Sequence, residues 1–199
     1  QQSQLHLHKQ SHLLVVNFHR QYLYSTIIML VYIDPILRGI LFLFLIITLG
    51  LTGSLIANSN HENPQVNFGL FAAVFGLVFG VFYGIAAGFI KVLAFPIAIA
   101  TIDFLNFVFT FAGATAIAAA IKAHSCSNQD YLDNNTVTQG SSDRCRKAQA
   151  SVAFLYFAFF LTIGQLVLSV GNVLNSGPFT LPFSKRAGPP RTGVPSSAV

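Results

Sequence analysis

Three polar side chains stand inside a stretch of the sequence that is otherwise apolar. Asp103, Asn106 and Thr110 follow one another at spacings of three and four residues, which places them on one face of a helix. A carboxylate surrounded by hydrocarbon is costly, so we expect Asp103 to face the interior of a helix bundle and to have a partner there. Two interpretations stay open: a relay for protons or ions, or a protonated or hydrogen-bonded carboxyl group that fixes helix packing. The other apolar stretches hold no second acidic residue, which favours the packing role.

The two cysteines of the chain, Cys126 and Cys145, lie near the two ends of a polar segment at residues 122–147. Cysteines in this position close a loop by a disulfide when the loop faces an oxidising compartment. With His124 they would supply only three metal ligands, without the paired spacing of structural zinc sites. A Cys/His catalytic arrangement would need a third orienting group, and the sequence offers none. The sequence therefore predicts a disulfide, and Asn134 in the same segment is a candidate for N-glycosylation.

A second apolar stretch carries four glycines at four-residue intervals. They are Gly76, Gly80, Gly84 and Gly88. Each would cost a soluble helix about 1 kcal/mol relative to alanine, whereas in a bilayer a row of small residues forms a groove that another helix can approach closely. We predict a helix-packing groove, used within the bundle, between protomers or around a lipid chain.

The apolar residues fall into four blocks, at residues 36–57, 66–90, 97–121 and 148–174. Each block is near the ~20 residues that cross the hydrocarbon core of a bilayer as a helix. The predicted fold class is all-α, an integral membrane bundle of four transmembrane helices. Asp34 is the expected N-cap of the first span, and Arg38 is expected to extend its charged group to the lipid headgroups.

The two ends of the chain differ in composition from these blocks. Residues 1–28 precede the only methionine, Met29, and are expected to be a non-native or disordered extension. Residues 175–199 are rich in Pro, Gly and Ser, which predicts a flexible tail. The tail carries three basic residues that we expect to face lipid: Lys185, Arg186 and Arg191.

The formal net charge of +5 does not indicate nucleic-acid binding. The basic residues lie at block edges and in the tails, and no basic face with interleaved aromatic residues is present. Such residues usually act as topology signals and lipid contacts. Because four spans place both termini on one side, and the cysteines and the glycosylation motif favour an external long loop, both termini are predicted to be cytosolic.

Five short motifs in the third span, the long loop and the fourth span form a specific combination. They are Asp103-Phe-Leu-Asn-Phe-Val-Phe-Thr-Phe111, His124-Ser-Cys126, Thr138-Gln-Gly-Ser141, Arg144-Cys-Arg146 and Ala153-Phe-Leu-Tyr-Phe157. Together with Phe183-Ser-Lys-Arg186 and Gly193-Val-Pro195 in the tail, they resemble the fungal non-classical export protein family, which belongs to the MARVEL-domain tetraspan membrane proteins. The resemblance covers residues 29–199.

The resemblance implies a multi-pass plasma-membrane protein. Because the sequence shows no catalytic constellation, phosphate-binding loop or redox pair other than the loop cysteines, we expect neither an enzyme nor a cofactor. Members of that family organise eisosome-associated membrane compartments, respond to sphingolipid and have an indirect role in unconventional protein secretion. The implied partners are sphingolipids or anionic lipids, eisosome coat proteins and further copies of the chain. Two alternatives stay open: a small transporter or export channel that uses Asp103 and Asn106, and an adaptor whose outer loop binds a partner.

Overall fold

The computed structural model describes residues 32–59, 62–90, 93–122 and 124–179. Four helices in these ranges are long and apolar enough to cross a membrane. They are α1 (Tyr32–Ala57), α2 (Pro64–Phe89), α3 (Pro96–Ile121) and α5 (Ser142–Ser176), and the short α4 (Gln129–Asn134) lies in the loop before α5. The predicted all-α four-helix fold is confirmed. The predictions for residues 1–28 and for Lys185, Arg186 and Arg191 concern parts of the chain outside the described residues.

The four long helices alternate in direction. Arg38 near the start of α1 contacts Asp103 near the start of α3, and Asp103 contacts Ser169 near the end of α5. At the other end, Leu55 and Val66 pack with Ile117. The helices α1 and α3 begin at one end of the bundle, which we call the terminal end. We call the opposite end the loop end.

Two helix starts differ from the sequence-based prediction. The described part of α1 begins at Tyr32, so Asp34 lies inside the helix, and the prediction that it caps the helix is wrong. The last helix begins at Ser142 because the Ser141 side chain caps it, accepting a hydrogen bond from Arg144 N at 3.4 Å, with Asp143 in the first turn. Its 35 residues extend for about 52 Å, which exceeds the ~30 Å hydrocarbon core. The helix is therefore longer than one span requires, and the residues beyond that length include its polar first turns.

The centre of α2 is a π-helix from Gly76 to Tyr83. In an α-helix, a row of residues spaced by four winds around the axis by about 40° at each step. A π-helix bonds residue i to i+5 and has more residues in each turn, which opposes that winding. Gly76 and Gly80 are buried and Gly84 is half-buried, so three of the four glycines keep facing the bundle interior.

Apolar side chains fill the bundle in two clusters, one toward each end. The cluster nearer the terminal end contains Leu41, Leu45, Ala73, Leu77, Val81 and Ala158. The cluster nearer the loop end contains Leu55, Val66, Ala114, Ile117, Ile121, Val137, Ala148 and Leu155. The outer surface is also apolar, with exposed side chains such as Phe82, Phe104 and Phe160, as expected for helices that contact lipid.

Candidate functional site

A buried ion pair joins α1 to α3 near the terminal end. Arg38 is 2% exposed and Asp103 is 0% exposed. Arg38 Nη1 and Nη2 lie 3.3 Å from Asp103 Oδ1 and Oδ2, respectively, which is the two-point geometry typical of arginine and carboxylate. Asp103 thus faces the interior with a partner. That partner is Arg38, so the prediction that Arg38 extends to the headgroups is wrong.

Hydrogen bonds extend the ion pair to the other two long helices. Arg38 Nη1 also donates to the Gly80 carbonyl on α2, and the Ser169 hydroxyl on α5 donates to Asp103 Oδ2. Arg38 Nε donates to Asp34 Oδ2 at 2.8 Å within α1. We call these five residues the ion-pair cluster. Each buried charge costs several kcal/mol of lost hydration, so such a pair persists only where further hydrogen bonds satisfy it.

The glycines of α2 make room for polar side chains from α1 and α3. A Cβ atom at Gly80 would lie 2.6 Å from Asn106 Nδ2, and one at Gly84 would overlap the Arg38 guanidinium. At Gly76 a Cβ would lie 2.7 Å from Leu45 Cδ1 and 2.8 Å from Asn106 Oδ1. Side chains of the same chain therefore fill the groove at its first three glycines. Gly88 is different, because it is exposed and no described atom lies within 4 Å of its Cβ position.

Two buried amides lie one turn deeper in the bundle than the ion-pair cluster. Asn106 follows Asp103 on α3, Gln165 precedes Ser169 on α5, and both side chains are fully buried. Among the described residues, neither amide has a hydrogen-bond partner for its side-chain N or O atom. Such groups cost about 1–3 kcal/mol each and mark places where a protein accepts strain or holds water. Thr110 is also buried, but its hydroxyl donates to the Asn106 carbonyl at 2.8 Å.

Three of these participants carry no distinctive signal in the sequence. Ser169, Gln165 and the π-helical turn become functional candidates only once the four helices are packed together. Arg38 does carry a signal in the sequence. It has the opposite charge to Asp103, and it lies near the start of a helix that runs parallel to α3.

The long loop forms a folded cap that is held to the ends of the helices. Cys126 and Cys145 are joined by a disulfide, with their Cα atoms 5.6 Å apart. The Tyr131 hydroxyl donates to the Ile121 carbonyl, and burial raises the pKa of Tyr131, so the phenol stays protonated as a donor. Because both cysteine sulfurs are in the disulfide, they are not available with His124 as thiolate ligands. The His124 ring instead packs against Tyr131 in a tilted arrangement, with the ring centroids 4.8 Å apart.

Asn134 is the last residue of α4, and its side chain is exposed. Its Nδ2 donates to the Asp130 carbonyl at 2.8 Å. Exposure is compatible with attachment of a glycan, and glycosylation of Asn134 stays a prediction.

Removal of the disulfide should destabilise the loop cap. We expect the variant with Cys126→Ser and Cys145→Ser to lose about 3 kcal/mol of unfolding free energy, the chain-entropy value for a loop of this length, since the cysteines are 19 residues apart in sequence. The measurement is thermal unfolding in detergent micelles, with and without a reductant. Reductant should lower the melting temperature of the parent and leave that of the double variant unchanged. A parent whose melting temperature is insensitive to complete reduction would contradict the expected contribution.

Four alternating apolar helices, joined inside the bilayer by a buried ion pair and covered at one end by a disulfide-closed cap, define a four-span integral membrane protein. The chain belongs to the MARVEL family of membrane-associating domains, which it matches over residues 29–168, and to the non-classical export proteins. It is 46% identical over 169 residues to Non-classical export protein 2 of Saccharomyces cerevisiae, covering 84% of this chain and 98% of that protein. It is 56% identical over 164 residues to Non-classical export protein 102 of Candida albicans, covering 82% of this chain and 95% of that protein. The family resemblance seen in the motifs is confirmed, and no solved structure matches the chain.

Proposed function

We propose that the chain is a non-enzymatic organiser of eisosome-associated compartments in the plasma membrane, with both termini in the cytoplasm. Its distribution responds to sphingolipid, and its role in unconventional protein secretion is indirect. The link to export rests on the names of the relatives, and the eisosome and sphingolipid roles rest on the resemblance in the motifs.

The observation that carries this proposal is that the polar residues inside the membrane bond to one another and connect the helices. Arg38, Asp103 and Ser169 bond to one another across three helices, and the Gly80 carbonyl on the fourth accepts from Arg38. A transport path needs charged groups that meet a substrate or water in turn. Here the intramembrane carboxylate is committed to holding helices together, which suits a protein whose task is to keep a defined shape among lipids.

A small transporter or export channel is the second candidate, and Asn106 is the observation that favours it. The buried amide of Asn106 has no hydrogen-bond partner among the described residues, so it has unused hydrogen-bonding capacity of the kind that a transport path would need. This candidate predicts that Asp103→Asn abolishes flux while the protein keeps its normal abundance and location. The organiser predicts that the same change lowers abundance or disperses the protein.

The test of the proposed function is imaging of a fluorescent fusion together with an eisosome coat marker in living cells. We expect the fusion to concentrate in the marked patches and to change its patch fraction when sphingolipid synthesis is inhibited. Restoring a sphingoid base to the medium should reverse that change. An unrelated four-span plasma-membrane protein in the same cells controls for a general effect on the bilayer. A uniform distribution, or a patch fraction that ignores sphingolipid withdrawal, would rule out the proposal.

A further inference from the structure

A cavity of about 220 Å³ opens at the loop end of the bundle. It lies between the last turn of α1, the first turn of α2 and the first turn of α5. Leu55, Ile56 and Val66 form apolar parts of its wall, and Glu62, Asn63 and Arg144 supply polar and charged groups. We call it the loop-end cavity.

Arg144 brings a buried positive charge to this cavity. The side chain is 9% exposed, with Nε donating to the Val137 carbonyl at 3.0 Å. Its Nη1 donates to the Leu55 and Asn58 carbonyls at 3.0 Å and 2.8 Å, respectively. Within the described part of the chain, no carboxylate forms an ion pair with Arg144, and the neighbouring Asp143 pairs with Lys147 at 2.7 Å. The guanidinium therefore stands beside the cavity without a carboxylate in direct contact, and Glu62 is the acidic residue that lines the same cavity.

The cavity also holds acceptors that suit a positively charged donor. Asn63 is 7% exposed, and its Nδ2 donates to Thr136 Oγ1 at 3.4 Å. Its Oδ1 is buried and has no partner among the described residues. Glu62, an exposed acidic residue, lines the same cavity. A ligand that satisfies all three residues carries an anionic group for Arg144 and an N–H donor for Glu62 and Asn63.

The depth and size of the cavity limit the source of such a ligand. The apolar run of α1 ends at Ala57 and that of α2 begins after Pro64, so the cavity lies where the hydrocarbon core gives way to the headgroup layer. Its volume is below the ~300–1,000 Å³ of pockets that enclose a whole small-molecule ligand. It therefore suits a lipid headgroup whose chains remain outside in the bilayer.

We propose that the loop-end cavity binds the headgroup of a phospholipid that carries a phosphate and a primary ammonium. The phosphate accepts from Nη2 of Arg144, the one nitrogen of the guanidinium that donates to none of the described residues. The ammonium donates to Glu62 and to Asn63 Oδ1, and the apolar wall contacts the start of the acyl chains. This proposal rests on the proposed function and deepens it, because it names a lipid class that the organiser holds.

The test is native mass spectrometry of the full chain in detergent. The chain is offered equal amounts of phosphatidylethanolamine, phosphatidylcholine and phosphatidylglycerol. We expect the parent to retain phosphatidylethanolamine preferentially, and Arg144→Gln to reduce that retention about tenfold, as loss of one charged hydrogen bond implies. Arg146→Gln is the matched control, because it removes the same charge from an exposed neighbour and should leave retention unchanged.

Glu62→Gln keeps the proposal testable if Arg144→Gln fails to fold. Glu62 is exposed, so its replacement spares the helix ends and should reduce the preference for phosphatidylethanolamine over phosphatidylglycerol several-fold. Equal retention of the three lipids by the parent would overturn the proposal, as would unchanged selectivity in a folded Glu62→Gln variant. Soluble phosphoethanolamine is added as a competitor. If it binds as tightly as the lipid, the ligand is a free solute and the lipid assignment is wrong.

This experiment separates the cavity from the proposed function. Lipid selectivity with a uniform distribution in cells would support the cavity and contradict the organiser. Patches that respond to sphingolipid, together with unselective lipid retention, would support the organiser and contradict the cavity.

Discussion

Replacing Asp103 with asparagine is expected to lower the unfolding free energy by about 3 kcal/mol. This is the lower end of the range for breaking a buried ion pair, because Asp34 still accepts from Arg38 Nε in the variant. The loss arises because the terminal nitrogens of the guanidinium stay buried without a counter-charge. The measurement is a titration from native micelles into denaturing detergent, followed by helical circular dichroism. Asp34→Asn is the matched control: Asp34 is partly exposed, so we expect a change of less than about 1 kcal/mol.

The double variant Arg38→Gln with Asp103→Asn should recover most of that stability. It removes both charges together, so the cost of burying them disappears, and the two amides can still hydrogen-bond between the helices. The two changes are therefore expected to be strongly non-additive, as for residues in direct contact. If the double variant loses the sum of the two single losses, Arg38 and Asp103 do not act as a pair.

Replacing both Gly80 and Gly84 with leucine is expected to cause the second large loss. A side chain at Gly80 would displace Asn106, and one at Gly84 would displace the Arg38 guanidinium from the ion-pair cluster. Overpacking costs about 1–3 kcal/mol at each site, and displacement of the buried charge adds to it. We expect low abundance, a lower melting temperature in micelles and loss of membrane patches.

Gly88→Leu is the matched control on the same helix. No described atom lies within 4 Å of its Cβ position, so the substitution should leave stability unchanged. The pair of variants also distinguishes packing within one chain from packing between chains. A dimer groove would lose self-association in both variants with little change in monomer stability. Unchanged stability and patches in the Gly80 and Gly84 variant would contradict a groove filled from inside the bundle.

The spans could be predicted from the sequence because the thickness of the bilayer sets the length of an apolar helix. The same criterion underestimates the length of α5, since the turns that begin at Ser142 are polar and are specified by a helix cap. Arg38 and Asp103 stand at similar depths in parallel helices, so the charges indicate the level of the pair. Depth alone does not give the rotation of each helix about its axis, which decides whether Arg38 faces lipid headgroups or the carboxylate.

The remaining parts of the site depend on tertiary packing. A hydroxyl group in an apolar helix usually bonds to its own backbone, as that of Thr110 does, and the sequence does not distinguish it from Ser169, which reaches Asp103. Glycine spacing indicates a groove but not its occupant. The spacing by itself indicates that the backbone of another helix occupies the groove. In the structure, the polar side chains of Asn106 and Arg38 occupy it at Gly80 and Gly84.

The central claim is that the ion-pair cluster holds together the helices of a membrane organiser and is not a conduction path. The most direct test is to image the double variant Arg38→Gln with Asp103→Asn in living cells, beside the parent and the single Asp103→Asn variant. We expect the double variant to gather in the same patches as the parent and to respond to sphingolipid withdrawal, while the single variant is depleted or dispersed. A double variant that is abundant and stable but absent from the patches would contradict the claim.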